Sequence, residues 1–291
     1  MFLINTRKRN KDKTFAHERL AKGKYLVYEF TKVSEGKEAK ERALEEIPTD
    51  NNTLLLIHGF NNDFDQVTGA YLDFEEKIQE AGFQGNVIGF TWPSYGQWYH
   101  YFGDKEQVEY AAPALVKFLQ KFLPRLGQNA LHINTHSIGT YLLFRALTSY
   151  SSGGPIIDDM ACFAADVSND VLEKGEIGYR ALRRVNRLTS YFNRHDPVLG
   201  ASAFANADGR LGLNGADEPD LLPENAFQVD CSTVIEGHSD YRKNADVMQD
   251  LVAVLSGSTS DHIDDRSLTG EKNTFRIGPE PEENESPGDG D

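Results

Sequence analysis

Cysteine is almost missing from this sequence: Cys162 and Cys231 are the only two in 291 residues. Both sit inside apolar runs that read as strands, so buried free thiols are the expectation, with no disulfide framework and no zinc-type paired-cysteine spacing. That usage fits a reducing, cytoplasmic setting. Long apolar runs are missing too. Nothing approaches the ~20 residues that span a bilayer. Met1–Asn5 is too short for the apolar part of a secretory signal, and the basic residues follow it rather than precede it. Positive charge is in deficit, with 30 Lys and Arg against 45 Asp and Glu and a net charge of −15. A general nucleic-acid binder needs a basic surface, so that class is excluded. The basic residues that are present gather near the start (Arg7, Lys8, Arg9, Lys11, Lys13). A membrane or polyanion could touch such a run, but nothing else in the chain supports the contact, and a solvated turn accounts for it.

What is there is a rhythm. Phe2–Thr6 and Tyr25–Phe30 read as short strands, and the charged Glu35–Glu46 reads as helix or loop. Thr53–Ile57 is a mostly aliphatic run without alternation, as a strand buried on both faces of a parallel sheet requires. Val67–Ala81 has helical spacing, Asn86–Trp92 is a further strand, and Val108–Leu126 an amphipathic helix whose regular part is expected to begin at Pro113. Ala130–Thr135 and Ile138–Tyr150 repeat the strand-then-helix order. Met160–Val167, Leu188–Asn193 and Ala226–Ser232 continue the strands, with helices at Gly178–Val185 and Tyr241–Leu255. Strands alternating with helices predict an α/β fold, a mostly parallel central sheet covered on both faces. Residues 1–255 read as one such domain, of a size that buries its own core. From Ser256 the composition turns to Ser, Gly, Asp, Glu and Pro, and 256–291 reads as an acidic, disordered tail.

The chemistry is carried by Leu131–Thr140, LHINTHSIGT. An apolar strand runs into Thr135–His136–Ser137–Ile138–Gly139 and directly into a helix, the pattern of a nucleophile elbow with Thr135 where the first glycine usually stands. The elbow puts Ser137 on a sharp turn at the strand's C-terminal end, with a helix N-terminus behind it. The bland alternative is a serine N-cap on an ordinary helix. His58–Gly59–Phe60–Asn61 follows the first buried strand, where acyl transfer needs preorganised N–H donors for the developing oxyanion, each worth about 3 kcal/mol. The backbone N–H groups of Phe60 and Ile138 are the candidates, with His58 holding the loop.

In this chain order the acid and then the base follow the serine. Asp196, fixed by Pro197 after the penultimate strand of the domain, is the favoured acid, and Asp166 is the fallback; either could instead cap a helix or turn. His195 adjoins Asp196 and points away from it, His262 lies in the tail, and His238 follows the last strand. His238 is therefore the candidate base. His132 and His136 have HxxxH spacing, but on a strand and without the glutamate of a zinc motif, so no metal and no cofactor is expected. Trp92–Phe102 is dense in aromatics. Trp92 reads equally well as packing, and Trp98, Tyr99 and Tyr101 are the candidates to line an acyl or aromatic pocket.

The runs IHGFNN, FTWPSYG, THSIGT and RHDPVL, with Arg210–Leu211–Gly212 downstream, resemble an uncharacterised bacterial branch of the α/β-hydrolase superfamily over roughly Phe2 to Leu255. The resemblance implies an α/β-hydrolase fold and a triad mapping to Ser137, Asp196 and His238, and it implies no substrate. No helical insertion forms a dedicated lid domain, although the Gly200–Asn225 connection could fold over the site. A serine hydrolase acting on a small-molecule ester or thioester is the expectation. Two rivals stay open: a lipase or phospholipase working at membranes, such as a delivered toxin, and a non-catalytic binding protein on the same fold.

Overall fold

Every side chain of β6 (Thr53–Ile57) is buried, because both faces of this strand are covered. The computed structural model describes residues 1–10, 14–33, 36–59, 63–94 and 101–280. Around β6 stand β7 (Asn86–Thr91) and β8 (Leu131–His136), each parallel to it. β9 (Ile157–Phe163), β10 (Val185–Phe192) and β11 (Ala226–Asp230) extend the parallel sheet on one side, and β1 (Phe2–Asn5) extends it on the other. Parallel neighbours need long crossovers, and here helices supply them.

Two core layers result. α2 (Tyr101–Leu126), α3 (Gly139–Ser149) and α4 (Ile177–Ala181) cover one face, with Leu115, Phe118, Phe122, Leu142 and Phe144 in the packing. α1 (Phe64–Glu80) and α7 (Ala245–Leu255) cover the other, through Val67, Tyr71, Phe74, Met248 and Leu251. α2 runs unbroken through Pro113. Its regular part does not start there; packing of a long apolar stripe offsets the one backbone hydrogen bond that proline removes. The thiols of Cys162 and Cys231 are buried and free.

Two other expectations are corrected. The charged segment read as helix or loop is β5 (Gly36–Arg42), paired antiparallel with β4 (Leu26–Val33) at the sheet edge. Pairing overrides the weak strand propensity of Lys and Glu, and charge on an edge strand discourages further pairing. The tail boundary at Ser256 is also too early. β12 (Arg266–Leu268) and β13 (Thr274–Ile277) close the far edge, β13 parallel to β11, with Phe275 and Ile277 buried. A buried network fastens them: Tyr191 donates to Asp250 Oδ1 at 2.6 Å, and Arg266 grips the same carboxylate at 2.5 and 2.8 Å. A composition-based boundary cannot see that pairing. The small hairpin of β2 (Arg7–Arg9) and β3 (Phe15–Arg19) stands outside the main sheet.

Between β10 and β11 lie α5 (Pro197–Asn206) and α6 (Leu211–Asn214). The backbone of α6 is pressed onto the end of β9: a Cβ at Gly212 would stand 2.2 Å from the Ala165 nitrogen. No side chain fits there, which is the reason for the glycine in the Arg210–Leu211–Gly212 run. Among the described residues no helix is long and apolar enough to cross a membrane.

Candidate active site

β8 ends at His136, and Ser137 follows with φ of 54°. That is the left-handed region, which a non-glycine residue occupies only where its surroundings over-determine it. The chain turns there from strand to helix α3, leaving the hydroxyl at the sheet edge. Two glycines make the turn feasible. A Cβ on Gly139 would lie 2.6 Å from the His58 carbonyl oxygen and 2.8 Å from that of Ile57. A Cβ on Gly59 would lie 2.6 Å from the Ser137 Cβ. The loop after β6 therefore passes directly against the elbow. Thr135 departs from the usual glycine without cost, because its hydroxyl is within 2.8 Å of the Thr140 hydroxyl and fully buried.

His58 holds the loop. Its Nδ1–H donates to the Gly59 carbonyl at 2.8 Å, its Nε2 accepts from the Trp92 backbone at 3.1 Å, and the Trp92 indole donates to its carbonyl at 3.0 Å. Burial, then the nearby Arg7 charge, push its pKa well below the usual range, so the ring is neutral. Trp92 is fully buried and stacked on that ring at 5.4 Å, so it packs and does not line the pocket. Phe60, Trp98 and Tyr99 lie outside the described residues, as does the side chain of Tyr101, the first residue of α2. The Ile138 N–H stands at the first turn of α3, beside Ser137.

Asp196 serves two ends at once. Its Oδ1 caps α5 by accepting from the Val198 and Leu199 N–H groups at 2.9 and 3.1 Å, and its Oδ2 accepts from His238 Nδ1 at 2.7 Å. Burial pushes the carboxyl pKa up, but the His238 hydrogen bond and charge, with the two N–H donors, outweigh it and leave it below 3.8. The second carboxylate candidate, Asp166, is engaged elsewhere: it accepts from Ser202 Oγ at 2.7 Å and lies 3.4 Å from Arg210 Nε. His195 is exposed and lines no described cavity wall. His262 ends a short helical turn and is 77% exposed.

His136, set aside as a metal ligand by its strand position, has a structural role instead. His136 Nε2–H donates to the His238 carbonyl at 2.8 Å, and the two rings meet edge-on at 4.6 Å. Burial, then the neighbouring His238, push its pKa down to about 3. A neutral ring thus ties the elbow to the loop carrying the candidate base, across 102 residues of sequence. Its partner is a main-chain atom, which no sequence pattern announces. Among the described residues no group of three or more His, Cys, Asp or Glu could hold a metal ion.

Ser137, His238 and Asp166 all line one cavity of about 920 Å³. No hydrogen bond joins Ser137 to His238 among the described residues; free enzymes often hold such pairs apart until substrate arrives. The arrangement offers a hydroxyl on a strained turn, an imidazole in a fixed tautomer, and backbone N–H groups at a helix start.

Residues 36–254 match the family described as alpha/beta hydrolase of unknown function, DUF900. An uncharacterized protein of Nostoc sp. is 22% identical over 252 residues, a match covering 66% of this chain and 65% of that protein's own length. A carboxylesterase of Bacillus subtilis is similar at 9% identity and a TM-score of 0.39, covering 81% of this chain and 88% of that one. An esterase of the archaeon Pyrobaculum calidifontis is similar at 8% and 0.43, covering 81% and 83%. At these identities the structural likenesses add nothing to the family match. That match covers most of the chain and agrees with the sheet order and the elbow: the protein belongs to the DUF900 family of alpha/beta hydrolases of unknown function.

Proposed function

We propose that the protein is a serine hydrolase that cleaves carboxylic esters or thioesters through an acyl-enzyme on Ser137. The observation that carries this is the strained Ser137 in the same cavity as a histidine whose Nδ1 is held by a buried aspartate at 2.7 Å. With Nδ1–H donated to Asp196, His238 presents an unprotonated Nε2, the form a general base needs. As the Ser137 oxygen bonds to the acyl carbon, its proton passes to His238 and Asp196 stabilises the imidazolium. The Ile138 N–H, at the start of α3 beside Ser137, is the donor assigned to the developing oxyanion. The carbon–oxygen or carbon–sulfur bond then breaks and the leaving group takes the proton from His238. Water repeats the sequence: His238 removes its proton, hydroxide attacks the acyl carbon, and the proton returns to Ser137.

A fluorophosphonate probe tests this. It should label the wild type at Ser137 and leave Ser137→Ala unlabelled, with ester turnover falling by about 10⁶. Labelling of neither protein, or turnover that survives the substitution, would refute the assignment; the first result favours a non-catalytic binding protein. A second reading, an enzyme working at lipid surfaces, is favoured by the apolar α5 at the cavity rim, where Phe204 is 91% and Val198 49% exposed. Cosedimentation with phosphatidylcholine vesicles that Phe204→Ser abolishes would support it. No cosedimentation of the wild type would exclude it.

A further inference from the structure

The cavity has two long walls. One is the inner face of α1, with Val67, Ala70, Tyr71 and Phe74, and the other is the inner face of α5, with Ala201 and Ala205. Tyr71 presents only its ring, because its hydroxyl accepts from the His58 N–H at 2.8 Å and donates to the Phe90 carbonyl at 2.7 Å. Where the α5 wall meets charge, the charge is already neutralised: Asp166 stands against Ser202 and the buried Arg210. Ala70 and Ala201 matter for what they omit. Both line the cavity, one from each helix, and a larger side chain at either position would take up space inside it.

We propose that this cleft is an acyl subsite, that the substrate class is uncharged esters or thioesters with a straight acyl chain of medium length or longer, and that Ala70 and Ala201 set the chain length accepted. This rests on the acyl-enzyme chemistry proposed above for Ser137. The chain lies between α1 and α5 with its carbonyl at Ser137, so each added methylene leaves water for apolar wall. Burying one methylene changes an equilibrium or specificity constant about fourfold. The charged side chains that line the cavity are already paired, Asp166 with Arg210 and Arg242 with Asp73 at 2.9 Å, so an acyl group ending in a carboxylate would lose its water to a wall whose charges are taken, and is rejected.

The test is a series of p-nitrophenyl esters from acetate to dodecanoate, with rates per site labelled by the fluorophosphonate. In the wild type kcat/KM should rise about fourfold per methylene from acetate until the cleft is full. In Ala201→Phe and in Ala70→Leu the maximum should move to shorter chains, and the octanoate-to-acetate ratio should fall at least tenfold. Having the two variants on opposite walls guards against one failing to fold. Phe204→Ser, on the outer face of α5, should keep the wild-type profile. A flat or falling wild-type profile, or an unshifted maximum in both folded variants, would overturn the proposal. An enzyme that labels yet shows a flat profile keeps its chemistry and loses this subsite. One that neither labels nor turns over any ester loses both.

Discussion

The two sides of the cavity that meet at Ser137 are held by different means. On the elbow side the fixing is done by backbone. Gly59 and Gly139 let two main-chain segments, the end of β6 and the elbow, approach until a single added carbon would collide, and His58 and Trp92 are locked by hydrogen bonds that end on main-chain atoms. On the α5 side the fixing is done by side-chain charge: Asp196 at the N-terminus, and the Asp166–Ser202–Arg210 cluster on its inner face. The elbow side breaks when an atom is added, and the α5 side when a charge is removed. For the acyl-enzyme chemistry proposed for Ser137, such a division would hold one atom rigidly and leave the wall beside it adaptable.

The largest expected effect separates Asp196's two duties. Asp196→Asn keeps a side chain that caps a helix as well as aspartate does, but it cannot hold His238 in the tautomer that leaves Nε2 free. Turnover should fall by about 10⁴, far more than the thermal midpoint suffers: the cap is kept, and only the stability that the Asp196 carboxylate gains from His238 is lost. A variant with near-normal kcat would show that Asp196 is only a cap. Next is Arg210→Ala, which leaves Asp166 buried without its cation. The expected loss is about 3–5 kcal/mol in urea unfolding, and Asp166→Asn with Arg210→Met should recover most of it. A loss below 1 kcal/mol would mean that charge does not anchor this wall.

On the opposite side Gly139→Ala is the corresponding break. Its methyl meets two backbone carbonyls, neither of which can rotate away, and overpacking of this kind costs about 1–3 kcal/mol. Activity should suffer more than stability, since the displaced atoms belong to the elbow and its loop. An unchanged kcat would show that the elbow has slack. Acid should also act on the α5 side. The folded carboxyl of Asp196 titrates below 3.8, its ordinary value, so its contribution to stability is complete above that pH and disappears as pH falls through the lower folded value. Wild-type stability should therefore drop more steeply below pH 3.8 than that of Asp196→Asn; parallel curves would remove Asp196 as the cause.

How much of this was legible follows the same division. Aliphatic strands without alternation showed the parallel sheet, and Ser137 to Gly139 showed the elbow, because a strand feeding directly into a helix leaves a local pattern. The pairing of Asp196 with His238 at 2.7 Å was expected from chain order together with the proline after Asp196, with Asp166 as the fallback. The α5 wall was not: Ala201 and Ala205 are ordinary residues until the fold places them on the cavity that Ser137 lines, and Arg210 acquires meaning only through Asp166. β5 and β13 were missed because a strand's partner supplies stability that its own composition does not show. The His136 tether ends on a carbonyl, and main-chain acceptors carry no residue letter.

The smallest expected effect lies on the outer face of α5. Phe204 is 91% exposed, so replacing it by serine removes little buried area, and stability should stay within about 0.5 kcal/mol. Soluble short-chain esters reach the cavity without touching that face, so their kcat/KM should not change. If α5 meets a lipid surface, however, Phe204 is the side chain that enters it, and the same substitution should slow hydrolysis of emulsified or vesicle-bound esters alone. Equal rates on both kinds of substrate would confine the role of α5 to its inner face. A loss on both would place Phe204 among the determinants of the cavity, against its position, and would mean that the charge-held wall moves as a whole.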